Sequence, residues 1–230
     1  MPARGGIRGI ILLAVAVVLT PAAASAVIIP GVDYATIGPI GSVYQGDVMT
    51  STFMTSDLTA QGGPPSVASG QITSTVYYNG AVFTYVLQVT PLQAGETRLS
   101  TGFLPTLYNN SAGWDFAGAV LAGAPGTGST AFTENLSSTN IGWTKLSTAT
   151  ALWDGIGPDL VTFFIRSTVA PGLSTYNLSG TGLPNGSAAG FAPVAAAVSE
   201  PGSLLLVAFG VVGTVAMASR RRGFRANRAA

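Results

Sequence analysis

The sequence predicts an all-β protein whose central part is an antiparallel β-sandwich or jelly roll, with an apolar segment at each end. Short runs rich in threonine, valine and aromatic residues recur through the middle of the chain, and clusters of glycine, proline and asparagine separate them. Residues 27–198 contain only one lysine, two glutamates and two arginines, so the straight-chain residues that favour helices are scarce there.

The first 26 residues have the pattern of a signal peptide. Two arginines precede an unbroken apolar run at 10–19, and small residues at Ala24 and Ala26 then predict cleavage after Ala26. A helix over this run would rise only about 15 Å, half of a bilayer core of roughly 30 Å, so a permanent membrane anchor fits it less well.

The clearest strand signal is a predicted hairpin with arms at 71–78 and 81–90. Asn79 and Gly80 separate the arms, and this pair favours a two-residue type I′ turn, in which both central residues need a positive φ. Alternation in the second arm predicts an inward face of Phe83, Tyr85, Leu87 and Val89. The other face should point outward at Thr84, Gln88 and Thr90, with Val82 and Val86 covered by neighbouring segments.

Seven further strands are predicted between the remaining turn signals, at 48–54, 97–103, 114–120, 130–136, 141–146, 160–168 and 175–178. Together with the hairpin they define a β-domain at 27–180. The alternation is lost after this domain, in a stretch rich in glycine, alanine and serine, and 181–198 is therefore predicted to be a flexible spacer.

The composition excludes several classes of function. Residues 27–198 carry three basic and eight acidic side chains, a formal charge of −5, which excludes a basic nucleic-acid-binding surface. The chain has no cysteine and no histidine, so Ser-His-Asp triads, Cys-His pairs and zinc sites of histidine and cysteine are excluded as well. We therefore expect no catalytic residue, no metal site and no cofactor.

Three alternatives remain open from the residues alone. A glycan hydrolase needs only two carboxylates, but the eight acids between 27 and 198 are scattered singly and mostly at turns. Trp114, Trp143 and Trp153 could form a sugar-stacking platform, although aromatic residues in strands more often belong to a core. Asp154 and Asp159 could approach a calcium ion, but an ordinary turn fits this stretch better.

The last part of the chain combines three features in order: Ser199-Glu200-Pro201, an apolar run, and the arginines Arg220, Arg221 and Arg222. The uncharged stretch at 202–219 would span about 27 Å as a helix, which predicts a transmembrane helix at 203–219. By the positive-inside rule, the arginines and the basic tail at 223–230 should stay cytoplasmic, with the β-domain on the outer side.

This arrangement resembles the PEP-CTERM sorting tail of Gram-negative bacteria over residues 199–222. Ser199 stands where that family usually has proline, whereas Glu200, Pro201, the apolar run and the arginines match. The resemblance implies recognition by an exosortase, a membrane-embedded, transpeptidase-like cysteine enzyme that would cut near Glu200 and Pro201. It also implies a single-pass precursor in the inner membrane with its body on the periplasmic side. After processing, the body would reach the cell surface or extracellular matrix, with exopolysaccharide as a further partner.

The resulting expectation is a non-enzymatic exported protein of the envelope or extracellular matrix. A carbohydrate-binding or adhesive surface module, suggested by the three tryptophans, is the alternative. A carboxylate-based glycan hydrolase is the third interpretation.

Overall fold

The structure is a computed structural model that describes residues 27–154, 159–181 and 185–194. Its strands are β1 Val27–Ile29, β2 Val32–Asp33, β3 Ser42–Thr55, β4 Ala68–Tyr78, β5 Phe83–Pro91, β6 Glu96–Thr101, β7 Ala112–Trp114, β8 Phe132–Leu136, β9 Ile141–Lys145, β10 Val161–Ser167, β11 Gly172–Gly180 and β12 Gly186–Ala192. Besides these strands, the described residues form one short helix, α1 Phe116–Leu121, and three single 3-10 turns, Tyr34–Thr36, Thr59–Gln61 and Gly128–Thr130. The described part of the chain is thus all-β, as predicted.

The twelve strands form one curled sheet in the order β1-β8-β9-β6-β11-β12-β3-β4-β5-β10-β7-β2. Neighbouring strands are antiparallel except for β2 and β7, which are parallel. β1 and β2 lie at opposite ends of this order, although only Pro30 and Gly31 separate them in the chain. The two edges of the sheet must therefore approach each other at 27–33, and this closeness requires the sheet to curl.

The hydrophobic core lies between two halves of this sheet. The first half consists of β1, β8, β9, β6, β11 and β12, and the second half of β3, β4, β5, β10, β7 and β2. Across the gap, the ring of Phe163 on β10 lies 5.3 Å from Trp143 on β9 and 5.0 Å from Phe132 on β8, between ring centroids. A hydrogen bond of 3.0 Å from Phe191 N on β12 to Ser74 Oγ on β4 also joins the two halves. Each half therefore has an inner face toward the core and an outer face away from it.

The predicted hairpin is confirmed as β4 and β5, but its turn differs from the prediction. Tyr78 pairs with Phe83, which leaves a loop of four residues in place of two. Gly80 has φ +95° and Asn79 is not in the positive region. The Asn79 side-chain oxygen instead accepts hydrogen bonds from Ala81 N at 3.1 Å and Val82 N at 2.9 Å. This local capping by the asparagine stabilises the wider loop.

The predicted inward face of β5 is also confirmed, since Phe83, Tyr85, Leu87 and Val89 are all buried. On the opposite face Gln88 is exposed, but Thr84 is fully buried, contrary to the prediction. The reason is the chain that follows β2. There the ring centroids of Tyr34 and Phe164 lie 5.7 Å apart. Ile37 O accepts a hydrogen bond from Nη1 of Arg166, and Arg166 is the residue of β10 that pairs with Thr84.

The predicted strand at 114–120 is wrong beyond its first residue. β7 ends at Trp114 and α1 begins at Phe116. Asp115 stands at the N-cap of α1, where its Oδ1 accepts a hydrogen bond from Ala117 N at 3.1 Å. An aspartate cap followed by alanines favours a helical turn over continued strand, and the branched residue Val120 did not outweigh them.

The predicted spacer at 181–198 is wrong over β12. This strand pairs with β11 along its whole length and with β3 at its start. Its inward positions are small, and Gly186, Ala188, Gly190 and Ala192 are all buried. They must be small because a Cβ at Gly190 would come within 2.9 Å of the Tyr176 ring. A strand with so little apolar side-chain area shows no hydrophobic alternation in the sequence.

Candidate functional sites

The residues predicted for sorting and processing lie outside the described part of the chain. These are Ala24 and Ala26 at the signal-peptide cleavage site, Ser199, Glu200 and Pro201 in the sorting motif, and the flanking Arg220, Arg221 and Arg222. The transmembrane helix predicted at 203–219 also lies outside it. Among the described residues, none of the helices has the length and apolar character to cross a membrane. The structure therefore leaves these predictions as they stood.

The three tryptophans belong to the core, as the preferred interpretation had it. Trp114, Trp143 and Trp153 are each at most 1% exposed. Their rings surround Phe132 and Phe163, with centroid distances between 5.2 and 5.8 Å where they contact these two residues. None of the indole faces reaches the surface, so the tryptophans cannot stack on a sugar in this structure.

Each indole N–H is satisfied inside the core, which explains how three tryptophans can be buried together. Trp114 Nε1 donates to Gly128 O at 2.8 Å, and Trp153 Nε1 donates to the backbone oxygen of Asp159 at 3.0 Å. Trp143 Nε1 donates instead to a carboxyl oxygen, Glu134 Oε2, at 2.9 Å. Glu134 is therefore an acidic side chain placed within the aromatic core.

Glu134 has the environment of a carboxyl group that is protonated at neutral pH. It lies on β8 directly opposite Trp143 on β9, and only 1% of it is exposed. Its second oxygen, Oε1, is buried without a hydrogen-bond partner among the described residues. Burial raises the pKa of Glu134 to about 8, and the hydrogen bond from Trp143 offsets only part of this effect.

Glu96 is a second buried acid, brought inward by an irregularity of the sheet. The register between β6 and β11 shifts so that Ser179 pairs with Arg98 while Gly180 pairs with Glu96. This bulge at Thr97 gives Glu96 the same inward direction as Leu99. Both of its carboxyl oxygens are buried with no partner in the described part of the chain, and burial raises the pKa of Glu96 to about 7.

Raised carboxyl pKa values are a common sign of an acid catalyst, but these two acids do not form a catalytic pair in this structure. Their strands are separated by β9, so Glu96 and Glu134 lie roughly 10 Å apart across the sheet and further along it. Both are enclosed, with exposed fractions of 0% and 1%. A glycan could not reach either carboxyl group without opening the core. The two buried acids therefore affect the stability of the domain and its dependence on pH.

The Asp154 and Asp159 region is organised around Trp153. Asp159 Oδ1 accepts a hydrogen bond from Trp153 N at 3.1 Å, which is the local role expected of an aspartate at a turn. Lys145 Nζ donates to Leu152 O at 2.6 Å. Burial lowers the pKa of Lys145, while the charges of Asp154 and Asp159 oppose this effect. Within the described ranges no three potential metal-ligating side chains come together.

The outer face of the first half carries a feature that the sequence analysis did not single out. The strands of this half hold two acids, Glu96 and Glu134, and both point inward. Lys145 ends β9 with its ammonium group bonded to Leu152 O. Arg98 is thus the one charged side chain of these strands on the outer face, among the residues that the structure describes. Arg98 directly precedes the apolar Leu99 in a strand, so the two side chains point to opposite faces of the sheet, and this alternation is present in the sequence.

The guanidinium of Arg98 occupies the space left by the missing side chain of a glycine, Gly142, on the neighbouring strand. A Cβ at Gly142 would lie 2.8 Å from Arg98 Nη2 and 2.9 Å from its Nε, so the guanidinium lies against the backbone of β9 at this point. Nε of Arg98 is buried and has no hydrogen-bond partner within the described part of the chain. None of the other described residues forms a hydrogen bond or ion pair with this guanidinium. The N–H donors of the Arg98 guanidinium are thus packed against β9 but have no acceptor among the described residues.

No protein-family model, no curated protein and no solved structure matches the chain. The all-β fold class therefore stands on the structure itself. The observations that bear on function are the predicted sorting signals and the chemistry of the described surface.

Proposed function

We propose that the protein is a non-enzymatic component of the cell envelope or extracellular matrix, delivered by a C-terminal sorting signal that an exosortase processes. The single observation that carries this proposal is the order Ser199-Glu200-Pro201, apolar run, arginine cluster. The predicted signal peptide and the acidic, cysteine-free β-domain support it, because they suit an exported domain that is stable without disulfides.

The order of these features has a physical rationale. Proline lacks a backbone N–H and disfavours helix in the residue before it, so Pro201 keeps Glu200 extended outside the predicted membrane helix. An extended segment is what a processing enzyme needs to bind. The apolar run would hold this segment at the bilayer and so raise its effective concentration near a membrane-embedded enzyme.

Intact-mass measurement of the protein from the cell surface and the membrane fraction tests this proposal. In a host with an exosortase, we expect the surface form to end near Glu200 and to lack 203–230. A double variant, Glu200→Ala with Pro201→Ala, should accumulate with its tail in the membrane fraction, whereas Ser203→Ala, a change just outside the motif, should be processed normally. Retention of the tail on every copy of the wild-type surface protein would show that the proposal is wrong.

For the fold of the exported domain we propose a jelly-roll-like β-sandwich. The two halves of the curled sheet face each other across one aromatic core, and the short segment 27–33 passes from one edge of the sheet to the other. Strands that cross between two facing sheets are typical of this architecture. A crystal structure in which the strands instead surround an open lumen would contradict it.

Carbohydrate binding is the second candidate function, now supported by a different surface. The buried tryptophans no longer favour it. The outer faces of the sheet are instead rich in hydroxyl and amide side chains, such as the hydrogen-bonded pair Thr50 and Thr73 on the second half. Such groups can replace water at sugar hydroxyls.

A further inference from the structure

We propose that the outer face of the first half binds an acidic polysaccharide through the guanidinium of Arg98. The proposal rests on the proposed function, because it names the class of polymer with which a matrix protein of this kind would associate. The evidence for this proposal is the position of Arg98 on the outer face and not the overall charge of the domain.

The first argument is the unpaired fork of Arg98. An arginine guanidinium presents a planar set of N–H donors that matches a carboxylate, and such pairs are among the stronger hydrogen bonds in proteins. The other two cations of the described chain already have partners, since Lys145 donates to Leu152 O and Arg166 donates to Ile37 O and lies 5.5 Å from the Tyr108 ring centroid. The Arg98 guanidinium has no such partner among the described residues, so it is the one that can take up an anion; its buried Nε does not set it apart, because Nε of Arg166 is also buried without a partner.

The second argument is the neutral polar surface around this single charge. Direct strand pairing sets one row across the sheet, composed of Asn135, Gly142, Ser100, Asn177 and Ser187. A parallel row contains Thr133, Thr144, Arg98 itself and Ser179. With strands about 4.8 Å apart, the first row extends roughly 19 Å, which is long enough for several sugar rings. These hydroxyl and amide groups can bond sugar hydroxyls on either side of the carboxylate.

The third argument is charge complementarity, which separates this face from its counterpart. The aspartates of the described chain lie outside the strands of the first half, and its two glutamates are turned inward. On β3 and β4 the outer positions Thr50, Thr52, Gln71 and Thr73 are uncharged, and the charged residue of these two strands is an acid, Asp47. Among the described residues of the first half, Arg98 is therefore the cationic contact that a uronate polymer would find on the outer face, and a neutral glycan would have no reason to prefer this half.

Equilibrium binding of polygalacturonate to the full-length protein in detergent micelles tests this site. We expect wild-type protein to bind polygalacturonate, to bind dextran much more weakly and to lose affinity as salt is added. Arg98→Gln should weaken binding by about tenfold or more, in line with losing a charged hydrogen-bonding group. Gln71→Glu is the matched control, since it makes the same change in net charge on the opposite face and should alter binding by less than about twofold.

Two further variants keep the test decisive if Arg98→Gln disturbs folding. Arg98→Lys retains the charge but not the fork, and Gly142→Ala retains the arginine but places a methyl group where the guanidinium lies. Both should weaken binding to an intermediate extent, with native tryptophan fluorescence as the check on folding. Unchanged binding in all three variants would overturn the proposal. Equal binding of dextran, or equal binding of the galacturonate monomer per carboxylate, would overturn the assignment to an acidic polymer.

The outcomes are separable from those of the proposed function. Loss of the tail in the intact-mass experiment, combined with no binding of polygalacturonate, would leave the sorting proposal standing and remove this one. Binding that depends on Arg98, combined with an unprocessed tail, would do the opposite.

Discussion

The buried carboxyl group of Glu134 predicts that the domain loses stability as the pH rises from 4.5 to about 8. In the folded protein burial raises the pKa of Glu134 to about 8, whereas an exposed glutamate has its ordinary value near 4.5. Below pH 4.5 the group is protonated in both states and its contribution to stability is fully present. Above that pH the unfolded chain ionises first, so that unfolding becomes progressively more favourable until the folded carboxyl group ionises as well.

The magnitude follows from the difference between the two pKa values. Each unit corresponds to about 1.4 kcal/mol, so the full shift would lower the free energy of unfolding by roughly 4–5 kcal/mol between pH 4.5 and 8. About half of this range, near 2–3 kcal/mol, falls between pH 5 and 7. The raised pKa of Glu96, about 7, acts in the same direction over the lower part of the range. These effects are a substantial fraction of the usual stability of a single domain, about 5–15 kcal/mol.

The perturbation is Glu134→Gln, which replaces the carboxyl group with a neutral amide of nearly the same shape. Its oxygen can still accept the hydrogen bond from Trp143 Nε1. We expect the variant to keep only the pH dependence that Glu96 causes and to exceed wild type by several kcal/mol at pH 8, the contribution of Glu134 to the pH dependence.

Urea unfolding at pH 5, 6, 7 and 8, followed by tryptophan fluorescence, provides the measurement, because all three tryptophans lie in this core. Asp57→Asn is the matched control, since Asp57 is fully exposed and its pKa is lowered, not raised, by hydrogen bonds from Thr59. A wild-type free energy of unfolding that stays constant from pH 5 to 8, or a Glu134→Gln profile parallel to it, would refute the reasoning.

Two further predictions concern elements that differ from the sequence-based expectation. Gly190→Val should destabilise the domain by about 2–3 kcal/mol in urea unfolding, because the valine side chain would collide with the Tyr176 ring. Its control is Ala189→Val on the exposed side of β12, which should change the free energy of unfolding by less than about 0.5 kcal/mol. Equal effects of the two variants would mean that β12 does not pack against β11 as described. Asn79→Ala should cost about 1 kcal/mol through loss of two hydrogen bonds in the β4–β5 loop, and a neutral result would indicate that the backbone alone holds the turn.

Much of the fold was predictable where the sequence contains large residues in alternation. The β4–β5 hairpin, the inward face from Phe83 to Val89 and the core position of the tryptophans all follow from side chains that lose most by contact with water. β12 was not predictable on this basis. Its inward residues are glycine and alanine, so its burial depends on Tyr176 and Ser69 of other strands, with which it must share space.

The candidate site shows the same division. The sequence excluded histidine and cysteine chemistry through the absence of both residues, and the alternation of Arg98 with Leu99 was present in it but was not used as a prediction. It did not indicate that Glu96 turns inward, because that direction depends on a one-residue bulge between β6 and β11. A single inserted residue reverses the face on which every following side chain of a strand lies.

By itself, then, the sequence determined the β-class of the domain, the chemistry that it lacks and the predicted signals at its ends, because these depend on residue type and on spacing along the chain. Only the tertiary structure decided which acids are buried, that β12 belongs to the sheet, and that Arg98 lies unpaired over Gly142. The reason is that each of these outcomes depends on contacts between strands distant in sequence, whose register and curvature no local pattern contains.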